Sequence, residues 1–196
     1  MSSDFSNDRE IKGNEIIIPS SFQTLREFEI WLHNQICERD DVTLGEVFGI
    51  FSVDKQYIDK IIIPLSVRRN DPKGNSIEIE ISHDLTPGEI DLIRGNIVSH
   101  NHPSNLSFSF REILWASDLG VIESRIVTNH WIYLIRPPNQ GWPSVDTIER
   151  IDIEIDNDVS LDYCITQPNS NPEWLHMRYE VLSRRSGFHY FRDKYS

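Results

Sequence analysis

The stretch from Thr86 to Gly120 constrains this chain most, because it passes from helix to strand to helix with a strong signal at each change. Thr86-Pro87-Gly88-Glu89 is a helix start: Thr at the N-cap, Pro at the first helical position, and Glu placed to reach back to the cap. That short helix is predicted to close at Gly95. Residues 96–99 then read as a buried strand running into His100-Asn101-His102-Pro103, where Pro stops the ladder. Residues 109–119 form a second helix ending at Gly120. Strands over 121–128 and 131–136 follow, before the breaker run 137–143. Helices inserted between strands in this way require a mixed α/β (α+β) domain.

The flanking sequence is less sharply marked. Residues 1–14 are polar and predicted to be loose. A helix is expected from Pro19-Ser20-Ser21, with Ser20 and Gln23 as a capping box and with Leu25, Phe28, Leu32 and Ile36, widened by Trp31, as its core face. Strands are predicted over 46–53, 58–65 and 76–82, the last alternating Ile77, Ile79 and Ile81 with Glu78 and Glu80, after a loop at 70–75. In the tail, Ile151, Ile153 and Ile155 alternate with acids, which reads as an edge strand with a solvated face. Residues 173–185 read as a terminal helix with Trp174, Met177 and Val181 on one side and Arg184-Arg185 at its C-terminal end. The expected organisation is a loose segment 1–14, a domain over 15–145, and a C-terminal extension 146–196 packing on it.

Composition narrows the class of function. The 196 residues hold 19 basic and 31 acidic side chains, a net charge of −12. Neutralising phosphates needs a basic face, so a main role on nucleic acid or anionic membrane is disfavoured. No run approaches the roughly 20 apolar residues of a membrane span, and the chain opens polar, so the expected location is cytoplasmic. Cys37 and Cys164 offer neither a disulfide framework nor a CxxC knuckle.

Chemistry concentrates at His100-x-His102. Period-two geometry at a strand end puts both imidazoles on one face, two-thirds of the shell of a catalytic zinc. Several known settings for such a pair fail here. A cupin would want an acid where Ser107 stands, a nucleobase deaminase needs HxE with PCxxC, and an amidohydrolase barrel needs a much longer chain. The segment His100-Asn101-His102-Pro103-Ser104-Asn105-Leu106-Ser107-Phe108-Ser109-Phe110-Arg111-Glu112 resembles the signature of the JAB/MPN metallopeptidases, the JAMM motif of HxHP followed by SxxD. Its opening is most similar to the RadC-like and phage-associated bacterial branch.

The resemblance, which covers roughly residues 44–136, implies an MPN/JAB-like mixed sheet flanked by helices. It also implies Zn2+ on His100, His102 and Glu112, Ser109 supporting the oxyanion, and Glu46 on an early strand as general base, with Glu78 and Glu80 as fallbacks. The gap from Pro103 to Ser109 holds five residues where many members have six, and Glu112 stands where the family has Asp, its extra methylene reaching roughly 1.5 Å further. Ser109-x-x-Glu112 is equally a capping box, so Glu112 reads either as metal ligand or as helix cap. Asp118 is a poor substitute, roughly 240° further round the helix. His83 is expected in a turn, His130 exposed in a hairpin, and Phe108 and Phe110 packed under the loop.

The function implied is a zinc metallopeptidase cutting a peptide or isopeptide bond of a protein or peptide substrate, such as a ubiquitin-like or a phage- or toxin-associated protein. The alternative is a non-catalytic JAB/MPN-like scaffold that holds a protein partner through Trp174, Tyr179, Phe188, Tyr190 and Phe191. A RadC-like DNA-associated role is disfavoured by the charge.

Overall fold

The computed structural model describes residues 19, 21–37, 42–44, 47–62, 66–70, 76–80, 85–102, 104–167 and 171–195. In chain order the elements are α1 (Leu25–Cys37), β1 (Val42–Leu44), β2 (Phe48–Ser52), β3 (Tyr57–Ile62), β4 (Ser66–Asn70), β5 (Ser76–Glu80), α2 (Pro87–Ile93), β6 (Ile97–Asn101), α3 (Phe110–Leu119), β7 (Glu123–Val127), β8 (Trp131–Arg136), α4 (Val145–Asp156), α5 (Tyr163–Thr166), α6 (Pro172–Ser186) and β9 (His189–Lys194). Six strands form the main sheet in the order β3-β2-β6-β7-β8-β9, while β1, β4 and β5 make a separate three-stranded sheet. This is the α/β class that the sequence predicts.

Only β6 and β7 pair in parallel within the main sheet. A parallel pair cannot be closed by a hairpin, so the chain crosses over through α3. The C-terminal end of β6 therefore faces the N-terminus of α3, the crevice where open α/β sheets place their ligands.

Each face of the sheet has its own core. Ile50, Val98, Ile126, Tyr133 and Ile135 point to one side and pack with Ile113 and Ala116 of α3, Ile148 and Ile155 of α4, and Leu182 of α6. Their neighbours in the strands point the other way, where Val127 meets Phe28 and Leu32 of α1. Gly49 lies on that second side, and a Cβ there would stand 2.4 to 2.9 Å from the Phe28 ring, so only glycine lets the helix sit this close. Glu29, 1% exposed on α1, is paired with Arg125 of β7 at 2.5 Å.

Local signals place the central helices as expected. Thr86 and Glu89 form a complete capping box at α2, Ser109 and Glu112 form another at α3, and Gly120 ends α3 in the left-handed conformation at φ 65°. The first helix differs. Its cap is Thr24, whose Oγ1 accepts the Glu27 N–H at 3.1 Å while Glu27 Oε2 accepts the Thr24 N–H at 3.3 Å. Glu27 carries a charge-assisted bond to the helix start that Gln23 would not, and Ser20 lies outside the described residues.

The tail departs most from expectation. Residues 151–155 belong to helix α4, not to an edge strand: Ile148, Ile151 and Ile155 are buried at helical spacing, while Ile153 is 61% exposed. Ser144 caps this helix through the Thr147 N–H. The edge position is taken by β9, which pairs antiparallel with β8 and makes the end of the extension part of the main sheet. On α6 the buried positions are Arg178, Tyr179, Leu182 and Ser183, whereas Met177 is exposed. Residues 1–14, the loop at 71–75 and His83 lie outside the described residues.

Candidate metal centre

His100 is on β6, one residue before its end. The pairing with β7 runs on past the strand, because the His102 N–H donates to Val127 O at 2.9 Å. The extended backbone is thus held through both histidines, and their rings project to one side. Phe108 is fully buried beneath the following loop, and Ser109 then starts α3 and puts Glu112 on its first turn, above the two rings.

Three side-chain atoms converge. His100 Nε2 is 2.7 Å from Glu112 Oε1 and 3.1 Å from His102 Nε2, and His102 Nε2 is 3.1 Å from the same Oε1. The histidine side chains are 2% and 7% exposed and Glu112 is 22% exposed. The carboxylate also serves the helix: its other oxygen, Oε2, accepts the Ser109 N–H at 2.5 Å, and the Glu112 N–H donates to Ser109 Oγ at 3.3 Å. Cap and ligand, alternatives in the sequence, are the two oxygens of one carboxylate. The longer Glu side chain allows this division, and the cap bond fixes the rotamer that aims Oε1 at the imidazoles.

The proton arrangement follows from one further contact. His102 Nδ1 lies 3.1 Å from Leu106 O. A carbonyl only accepts, so Nδ1 carries the hydrogen and a neutral His102 turns a lone pair on Nε2 toward the Glu112 oxygen. Two lone pairs at 3.1 Å require a cation, either a proton or a metal. Burial on its own would raise the Glu112 carboxyl, but the hydrogen bonds and positive character of His100 and His102 hold it well below the usual carboxylate range.

These donors fit a zinc ion. Two imidazole nitrogens and one carboxylate oxygen form three corners of a shell with the fourth open, and a tetrahedron with bonds of about 2.0–2.1 Å has edges of about 3.3 Å. The observed edges are within a few tenths of an ångström of this except at the 2.7 Å contact. His102 has the outer partner that a ligating histidine needs, in Leu106 O. His100 Nδ1 is buried without a hydrogen bond, while Phe48 stacks on the ring at 4.4 Å and fixes its plane. Among the described residues, His100, His102 and Glu112 are the one cluster able to hold a metal.

Of the other residues singled out by sequence, Ser109 lines a cavity of about 350 Å³ beside the centre. Its Oγ accepts from the Glu112 N–H, which leaves its own hydrogen free to donate. Glu46 lies outside the described residues. Its chain neighbour Val47 is buried, and the Val47 N–H donates to Asn101 Oδ1 at 2.7 Å, between the two histidines in sequence. Glu78 and Glu80 are on β5 in the smaller sheet. Asp118 is exposed at the far end of α3, and His130 is exposed between β7 and β8. Tyr179, Phe188 and Tyr190, expected on the surface in the scaffold reading, are buried in the main core.

Sequence reasoning missed the support from the tail. Ser107 Oγ is 3.0 Å from Tyr190 Oη on β9, which lies 3.1 Å from His176 Nδ1 on α6. Ser107 follows Leu106, whose carbonyl orients His102, so the last strand braces the ligand loop. Nothing local in the sequence could signal a contact across 83 positions.

The fold and site together define an α/β protein with a buried His-His-Glu centre at the end of a parallel strand. Comparisons with family models, with curated proteins and with solved structures find no match to this chain. No helix among the described residues is long and apolar enough to cross a membrane.

Proposed function

We propose that this chain is a zinc-dependent metallopeptidase of the JAMM type, hydrolysing a peptide or isopeptide bond. The observation that carries the reading is the tautomer of His102: with Nδ1–H committed to Leu106 O, its Nε2 lone pair faces the Glu112 carboxylate oxygen at 3.1 Å, with His100 Nε2 2.7 Å from the same oxygen, an arrangement suited to a cation. Zinc held by His100, His102 and Glu112 supplies a Lewis acid and a water acidic enough to ionise near pH 7. Glu46, assigned as base by the JAB/MPN resemblance, removes the proton from the attacking water and passes one to the leaving amine. The free hydroxyl hydrogen of Ser109 is available to the carbonyl oxygen as it gains charge. The capping box keeps Ser109 and Glu112 in a constant relation, so little reorganisation is needed as the reaction proceeds.

The substrate class follows from the same resemblance: a ubiquitin-like, phage-associated or toxin-associated polypeptide, acted on in the cytoplasm. The test is metal content per chain by plasma mass spectrometry, with wild type and Glu112→Ala in parallel. Near one zinc per chain, lost in the variant, supports the reading. A wild type that stays free of zinc after reconstitution overturns it and leaves Glu112 as a helix cap.

A further inference from the structure

We propose that the cavity beside the His-His-Glu centre is a subsite for a large apolar side chain next to the scissile bond, an inference that rests on the peptidase reading for its catalytic consequence. The cavity, about 350 Å³, has the lower range of volume for a ligand pocket. Its floor is Ile50, Ile93 and Val98, each 1% exposed, and Phe48, Leu85 and Trp115 stand around it. It is continuous with the chemistry, because His100, Ser109 and Glu112 form one end and the Phe48 ring stacks on His100. Whatever occupies it lies within one residue's reach of a bond reacting at the centre.

The chemistry of the lining selects the occupant. A Leu or Phe side chain moved from water onto this floor gains binding in proportion to its buried area, while glycine leaves the cavity to water. An Asp or Glu side chain would have to shed its hydration against Ile and Val with one neutral hydroxyl, that of Ser124, and no cation on the floor. The polar members of the lining are the Ser124 hydroxyl, beside Val98 in the sheet and 3% exposed, and the exposed Arg111, which suits a backbone carbonyl of the substrate. The subsite thus favours cleavage beside a bulky apolar residue over cleavage between small or acidic ones, by roughly 10- to 100-fold in kcat/KM.

The experiment uses the zinc-loaded full chain with quenched peptides carrying Gly, Ala, Leu, Phe, Asp or Lys at each position flanking the bond. Leu or Phe favoured at least 10-fold over Gly and Asp at one position, with that preference lost in a folded Leu85→Trp variant that fills the cavity, supports the subsite. Equal rates for Gly and Leu, or a preference for Gly, overturn it. A second arm is independent of catalysis and of that variant's folding: N-acetyl-phenylalaninamide and N-acetyl-glycinamide are titrated while the Trp115 indole N–H resonance is followed, assigned through Trp115→Phe. A shift with the phenylalanine amide alone supports the subsite even when no peptide is cut, so the pocket stands independently of the peptidase reading, which the zinc content overturns separately. No shift with either amide overturns the subsite whatever the metal content.

Discussion

Glu112→Gln separates the two duties of this side chain. The amide oxygen of Gln can still accept the Ser109 N–H now bonded to Oε2, so the helix cap survives. What disappears is the negative charge beside His100 and His102. Without metal, the variant therefore loses about 1 kcal/mol, the scale of a hydrogen bond exchanged for a weaker one. Glu112→Ala removes the cap as well and costs about a further 1 kcal/mol. With zinc the contrast grows. An ion present at 1,000 times its dissociation constant stabilises the native state by about 4 kcal/mol, and a chain of this size changes Tm by roughly 2–4 °C per kcal/mol. Wild type should thus gain roughly 8–16 °C on zinc addition. Glu112→Gln has two protein ligands, should lose more than the 10- to 100-fold in affinity that an outer-sphere defect costs, and should gain less than half that shift. Differential scanning fluorimetry with EDTA and with zinc reads both values. An equal zinc-induced shift in wild type and Glu112→Gln would show that the carboxylate is a cap and not a ligand.

Tyr190→Phe removes the hydroxyl shared by Ser107 and His176 and should cost about 1 kcal/mol while weakening zinc several-fold, measured by competition with a fluorescent chelator; unchanged affinity would separate β9 from the ligand loop. Gly49→Ala drives a methyl into the Phe28 ring and should destabilise by about 2–3 kcal/mol in urea unfolding, with partial rescue by Phe28→Leu; a neutral result would mean that α1 stands further from β2. Arg178, 5% exposed, binds Asp152, Asp156 and the carbonyls of Ile165 and Thr166, so Arg178→Ala should cost about 3–5 kcal/mol by leaving Asp152 and two carbonyls unpaired, and a loss below 1 kcal/mol in the same assay would count against this. Hydrogen bonds from Ser160 and from Arg185 lower the Asp158 carboxyl to about 2. A depressed folded value means that its stabilisation is complete above the unfolded value near 4 and is lost as the pH falls through about 2, so Asp158→Asn should flatten the acid limb of Tm against pH over that window.

The parts of this protein legible in its sequence are those held by contacts three or four residues apart. Thr86 with Glu89, Ser109 with Glu112 and Gly120 mark the ends of α2 and α3 because each satisfies helix-end groups within its own turn. The His100-x-His102 pair was legible from the strand period and Glu112 from the cap spacing, whereas its place beside the histidines, a contact across 10 to 12 positions, was expected only from the JAB/MPN resemblance. The failures came where local pattern was ambiguous. Residues 151–155 alternate as a strand would, and only the wider set Ile148, Ile151 and Ile155, read from the Ser144 cap, reveals the helix.

Tertiary structure decided what depends on distant partners. The edge beside β8 went to β9, whose pairing joins Trp131 to Lys194 and whose Tyr190 reaches the ligand loop. It divided the two oxygens of Glu112 between cap and histidines, and it committed His102 Nδ1 to Leu106 O. Residue types and short spacings determine which groups can form this centre. The proton positions, the cavity beside it and the strand that braces it arise from packing between segments far apart in the chain, which no local hydrogen-bond pattern encodes.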